Sequence, residues 1–413
     1  MRPDEDITRG REAFAGRLWA EAHRCFAQAN ARTPLPVPDR ERYAWSAVLV
    51  GLDDDFLQIL EGLYQEHIDR GEDTRAARYA FWAGHRLSIM RETSRAGGWL
   101  ARAERLVADK DCVERGYLLL PVVRRHQLRG DFAAAESAAA EAVAIADRFR
   151  DPDLAAFARA LQGSMLLRNG KVERGFALID EAMIAVTGGS VSPVLTGLIY
   201  CICIAGCSQL YVLDRAREWT AALAAWCEPQ ADRVAFQGTC LVHRAELMQL
   251  EGAWGEAIEE ARRASSRLTR EADSETAADA LYEQAEVHRL RGEFAEAERV
   301  YREACQLGRD AQPGLALLRL AQGRTADALS AVRRALCETT TRLRRARLLP
   351  AQIEIALAAG ECEEARTACV ELESIAADYG TDVLRAMAAH ARGAVLLALG
   401  EAEAALQPLR HAF

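Results

Sequence analysis

Three thiols, Cys201, Cys203 and Cys207, fall within one short stretch of the chain, and clustered thiolates are what a zinc site needs. On a helix Cys203 and Cys207 share a face, while Cys201 points elsewhere. No paired C-x-x-C and no nearby His completes a tetrahedron. Small apolar cysteines in a packed helix are the simpler reading. Cys227 and Cys240 in neighbouring elements leave a redox-sensing thiol as the other chemistry. His243 and His288 have the side chain of a general base, but no nucleophile or carboxylate stands beside them in a recognisable motif. They read as helical histidines with a polar tip at a packed edge. The basic run Arg342, Arg344, Arg345 and Arg347 reads as a solvated helix face rather than a nucleic-acid patch. No G-x-x-x-x-G-K-[ST] segment occurs, so no phosphate-cradling loop is expected. The residues predict no enzyme, no metal site and no cofactor, because nothing assembles nucleophile, base and oxyanion donors.

The carboxylates are more informative. Glu246 and Glu286 occupy matching contexts, Ala245-Glu246 and Ala285-Glu286, each six residues before a Gly. Arg289 follows Glu286 by one helical turn, and Gln249 holds the equivalent place after Glu246. Side chains of this kind, held on rigid helices, can orient a ligand at little ordering cost.

The elements that must position them come from a repeat. A Gly, an apolar residue two further on, and an Ala three beyond that recur with helical spacing afterwards. The copies are Gly130 with Ala135, Gly170 with Gly175, Gly252 with Ala257, Gly292 with Ala297, Gly323 with Ala328, Gly360 with Ala365 and Gly400 with Ala405. Weaker copies are Arg17-Leu18-Trp19 with Ala22, Gly71 with Ala76, and Tyr211-Val212-Leu213 with Ala216. A period near 40 residues signals a solenoid. Each copy predicts a helix ending at the Gly, a short turn, and a second amphipathic helix packing back. The expected fold is all-α: a right-handed α-solenoid of roughly nine to eleven helical hairpins.

With 413 residues, half of them hydrophobic, the chain is long enough for such an array. We expect one array over residues 1–413, with sub-breaks near 33–39, 187–193 and 308–314. Lys and Arg total 52 against 61 Asp and Glu, a net charge of -9, which opposes duplex DNA binding by the chain itself. Val194 to Leu213 carries no charge and has the length of a membrane span. The repeat instead makes it a helix buried on all sides, so no membrane association is expected. Eleven scattered cysteines fit a reduced, cytoplasmic chain.

Spacing around Gly292, with Ala285, Ala297, Tyr301 and Ala304, resembles the tetratricopeptide repeat; Ala22, Phe26, Ala29 and Pro34 resemble it too. Longer blocks narrow the resemblance. Cys112 to Leu118, Arg215 to Thr220, Val242 to Leu247, Leu290 to Phe294 and Gln312 to Leu317 resemble the LuxR-type transcriptional regulators, in the branch with a MalT-like tetratricopeptide sensor region. The resemblance implies a sensory and scaffolding array that binds a protein partner or small-molecule effector on its concave face, and leaves room for a homodimer. In that family DNA is bound only through a C-terminal helix-turn-helix domain, which this sequence lacks; a fragment of a longer chain is expected. The alternative is a stand-alone tetratricopeptide adaptor protein with no DNA-binding role. In the tetratricopeptide register the candidate concave groove presents Glu246, Gln249, Tyr282, Glu286 and Arg289, with Trp219 and Trp226 packing nearby.

Overall fold

The computed structural model describes residues 3–228, 237–267 and 274–412. Among the described residues every regular element is an α-helix. The first hairpins are α1 (Pro3–Ala15) with α2 (Trp19–Asn30), α3 (Val37–Leu49) with α4 (Asp53–Asp69), and α5 (Asp73–Ile89) with α6 (Thr93–Val107). Next come α7 (Glu114–Leu128) with α8 (Phe132–Phe149), α9 (Pro152–Arg168) with α10 (Val172–Thr187), and α11 (Pro193–Gln209) with α12 (Leu213–Cys227). Then follow α13 (Gln237–Leu250) with α14 (Trp254–Arg267), α15 (Ser274–Leu290) with α16 (Phe294–Gln306), and α17 (Gly314–Ala321) with α18 (Thr325–Glu338). The last are α19 (Arg342–Ala358) with α20 (Cys362–Tyr379), and α21 (Asp382–Ala398) with α22 (Ala402–His411). The expected all-α repeat of helical hairpins is what the chain forms.

The turn chemistry explains the repeat. Gly130, Gly252, Gly292, Gly360 and Gly400 all take φ between 75° and 82°, the left-handed region that closes a helix without a Cβ penalty. The next amide then donates five residues back, as in Asp131 to His126 at 3.0 Å and Glu293 to His288 at 2.9 Å. The Ala five residues after the Gly is sealed where the two helices cross, as at Ala135, Ala297 and Ala405. Three turns add a side-chain staple across the same gap: His67 to Glu72 at 2.7 Å, His126 to Asp131 at 3.6 Å, and His288 to Glu293. His288 therefore serves its own turn.

Two degenerate copies adopt the same turn without glycine, Arg17 at φ 59° and Tyr211 at φ 56°. The early register needs a correction. Gly71 joins α4 to α5, between hairpins, whereas the hairpin turns lie at Gly51 and at Arg91, both left-handed. They escape the pattern because Phe56 replaces the Ala in one and Arg replaces the Gly in the other.

The chain divides into two compact units. Unit 1 comprises residues 1–166, 173–202 and 221–237, and unit 2 comprises 167–172, 203–220 and 238–413. The division falls inside α9, α11 and α12 and at the first residues of α10 and α13. In a simple solenoid each repeat touches only its neighbours, but both units go further. In unit 1 Trp19 of α2 and Leu49 of α3 pack with Val194 and Trp226. In unit 2 the Tyr379 hydroxyl donates to the Arg168 carbonyl at 2.8 Å, and the Thr381 hydroxyl to that of Leu210 at 3.0 Å. No helix among the described residues is long and apolar enough to cross a membrane.

Candidate functional site

The odd-numbered helices of unit 2 bring ionisable side chains together. Tyr211 comes from the turn after α11, His243 and Glu246 from α13, Tyr282 and Glu283 from α15, Arg309 from the segment after α16, and Arg347 from α19. The Tyr282 ring is buried, with the Arg309 guanidinium 4.9 Å from its centroid and that of Arg347 at 5.7 Å. Arg309 is already engaged by Asp279 at 3.2 Å. Arg347 is exposed and has no ion pair within 4.0 Å among the described residues. Glu246 keeps 22% of its side chain exposed, and its nearest cation is His243 Nδ1 at 4.0 Å, beyond hydrogen-bond reach.

Glu283 is the unusual member. It is only 6% exposed, and no hydrogen bond or ion pair reaches its carboxylate among the described residues. Its oxygens are nonetheless not sealed from solvent. Burial, then the negative charge of Glu246, pushes its pKa well above the ordinary carboxylate range; Arg347 pulls the other way. Glu246 is held below that range, since His243, Arg347 and Arg309 outweigh its own burial. Two nearby carboxyls pushed apart in this way share a single proton between them.

The residues expected to line the groove separate into three sets. Glu246, Gln249 and Tyr282 stand on α13 and α15, with Gln249 partly exposed. Glu286 and Arg289 turn inward instead. Glu286 accepts from the Tyr301 hydroxyl and from Arg289 at 2.7 Å, and is buried. The reason is one register position: Tyr301 lies nine residues after Gly292, whereas Ala261 lies nine after Gly252. Glu246 thus has no phenol at the matching place in the following helix. Gly314 leaves the space, since a Cβ there would fall 1.7 Å from Glu286 Oε1. Trp219 is partly buried, its indole N–H sealed without a hydrogen-bond partner. Trp226 requires a correction, because it belongs to unit 1 and packs in the Trp19 cluster.

Sequence reasoning missed Glu283, Arg309, Arg347 and Tyr211 as members of this group. Tyr211 carried a signal, an aromatic residue in a slot that the ten other hairpins give to Gly or Arg. The basic run splits: Arg342 pairs with Asp378 at 2.6 Å and Arg345 with Glu371 at 2.8 Å, while Arg347 alone reaches Tyr282. Among the cysteines, Cys203 and Cys207 are fully buried. No group of three metal-binding side chains occurs among the described residues. Burial pushes the Cys240 thiol up to about 11, so it stays protonated near neutrality.

Unit 1 treats the same positions differently. Trp45 of α3 meets Trp82 of α5 edge-on at 5.2 Å, and His85 stacks on Phe81 at 5.6 Å, with Phe157 of α9 at 6.3 Å. Burial, with Arg124 and Arg86 adding repulsion, lowers the His85 pKa to about 4. Arg78 lies 4.2 Å over the Tyr117 ring and pairs with Glu114 at 3.0 Å and Asp151 at 3.5 Å. A cleft of about 380 Å³ near α3 and α4 is lined by Arg40 and Asp55 among others. Both are already engaged, Arg40 by Glu66 and Asp55 by His23 at 2.9 Å.

No protein-family model matches the chain, and no curated protein matches it. Among solved structures it is similar to NprR in complex with its cognate peptide NprX, with a TM-score of 0.53 at 12% identity, covering 78% of this chain and 98% of that one. It is also similar to a tetratricopeptide repeat protein from Parabacteroides merdae (TM-score 0.43, 17% identity, 66% of this chain and 97% of that one). A third is Cut9 in the APC/C hetero-tetramer Cut9–Hcn1 (TM-score 0.38, 12% identity, 100% of this chain and 86% of that one). The likeness to NprR establishes the fold alone: the chain is an all-α solenoid of tetratricopeptide-like hairpins.

Proposed function

We propose that this chain is the sensory and scaffolding repeat region of a LuxR-type transcriptional regulator, acting in the cytoplasm. In this reading the groove of unit 2 binds a protein or peptide partner, or a small effector, and DNA is contacted only by a separate domain. The sequence blocks resembling that family support the regulator. The observation that carries the binding role is the charged set left open at Glu246, Glu283 and Arg347, on helices rigid enough to orient a ligand. NprR, whose solved complex holds a cognate peptide, lends the peptide version its support.

The test is made in the full-length regulator. Glu246→Gln with Arg347→Ala should abolish the transcriptional response while the melting temperature stays within a few degrees of the parent. An unchanged response would overturn the site. An in-frame helix-turn-helix domain in the same gene is expected of the regulator, and its absence would favour the adaptor.

A further inference from the structure

We propose that the groove of unit 2 recognises a cation, the lysine or arginine side chain of a peptide partner, at the Glu246–Glu283 pair beside Tyr282. The proposal rests on the binding role given above and names its chemistry.

Three observations carry it. Glu283 is more than nine-tenths buried and has no hydrogen-bond or ion-pair partner among the described residues, while its oxygens keep contact with solvent and so stay reachable by a ligand. Its charged neighbours come from several elements: Glu246 on α13, Arg347 on α19 and Arg309 after α16 act on it, as does Glu286 on its own helix. The charge count then shows what a ligand would replace. Arg309 is engaged by Asp279, and Glu286 by Arg289. What remains is Glu246 and Glu283 against Arg347, with one proton held between the two carboxyls in place of a second cation. An ammonium or guanidinium group would displace that proton, and the Tyr282 and Tyr211 rings suit a cation and its methylene stem.

Tyr211 stands at a hairpin turn, φ 56°, where other copies put Gly or Arg. Arg347 and Glu246 both act on its phenol, so it belongs to the same group.

The experiment uses the 413-residue chain and three fluorescent, end-capped ten-residue peptides: alternating Ala-Lys, alternating Ala-Glu, and Gly-Ser. Binding is read by anisotropy at about 0.15 M salt, where long-range attraction is screened. The Ala-Lys peptide should bind, and Glu246→Gln with Glu283→Gln should weaken it at least tenfold. The exposed pair Glu363→Gln with Glu403→Gln makes the same change in net charge and should leave it unaltered. Arg347→Ala should strengthen Ala-Lys binding severalfold by removing a competing cation, a gain that misfolding does not produce. Equal weakening by the exposed pair would overturn the proposal in favour of net-charge attraction. Preference for the Ala-Glu peptide, lost in Arg347→Ala, would overturn the cation while keeping the groove. Binding of no peptide would overturn it as well, and the transcriptional response above then judges the groove separately.

Discussion

Units 1 and 2 are built from one hairpin code and use its inward-facing positions in opposite ways. In unit 1 the facing side chains are aromatic, and the ions among them are closed: Arg78 on Glu114 and Asp151, Arg86 on Asp53 at 2.8 Å, Arg11 on Asp39. In unit 2 the equivalent helices carry Glu246, Glu283 and Arg347, each short of a close partner of opposite charge among the described residues. Closed pairs fix a fold, because removing one member strands the other in a dry site. Open charges weaken a fold and are kept where they meet something else. Turn geometry and the sealed Ala are common to both units, so the difference lies wholly in side chains that the repeat leaves unspecified.

The largest contrast should come from the two arginines. Arg78→Ala strands Glu114, takes one partner from Asp151 and empties the face of Tyr117, at about 3 kcal/mol or more. Arg347→Ala should cost under about 1 kcal/mol, as exposed charges do. Urea unfolding of both variants measures this, and equal losses would erase the distinction between the units.

Gly163→Ala tests how tightly unit 1 is packed. Its Cβ would meet the Gly175 carbonyl oxygen at 2.7 Å, and backbone has little room to yield. We expect a loss of about 1–3 kcal/mol in thermal unfolding. Gly163 and Gly175 thus mark the close approach of α9 and α10.

Tyr211→Gly should leave stability within about 1 kcal/mol, since relief of left-handed strain offsets the lost ring contact. Binding of the Ala-Lys peptide should fall severalfold. A stability loss without a binding loss would make Tyr211 a packing residue and nothing more.

Much of the fold was legible in the sequence. Gly130 through Gly400 announce their turns because only a residue without a Cβ closes a helix there cheaply. Tyr211 was readable as a degenerate copy from its Ala216. Gly51 and Arg91 were hidden because Phe56 and Arg91 break the two signals the pattern uses. Register put Glu246 and Tyr282 on the first helices of adjacent hairpins, α13 and α15. The fate of Glu286 could not be read that way, because it depends on Tyr301 in the following helix and on Gly314 in the next repeat. Glu283 and Arg347 escaped for the same reason: whether a charge is paired is decided between repeats, not within one.

The smallest expected effect is in pH. Glu283 faces Glu246 from α13, Arg347 from α19, Arg309 after α16 and Glu286 on its own helix. Its folded pKa is raised, so the stability it contributes is full below the ordinary carboxylate value and is lost as pH rises through the folded one. Glu283→Gln, which copies the protonated form, should match the parent at about pH 4 and melt higher than it at about pH 9. A parallel pH dependence in both proteins would place the titration elsewhere.

The central claim is that the unit 2 charges serve recognition and not the fold. The triple substitution Glu246→Gln, Glu283→Gln and Arg347→Ala removes all three together, so no member is left stranded. The account predicts a melting temperature equal to or above that of the parent in differential scanning calorimetry. A drop equivalent to about 2 kcal/mol or more, the size expected for a broken core network, would contradict it.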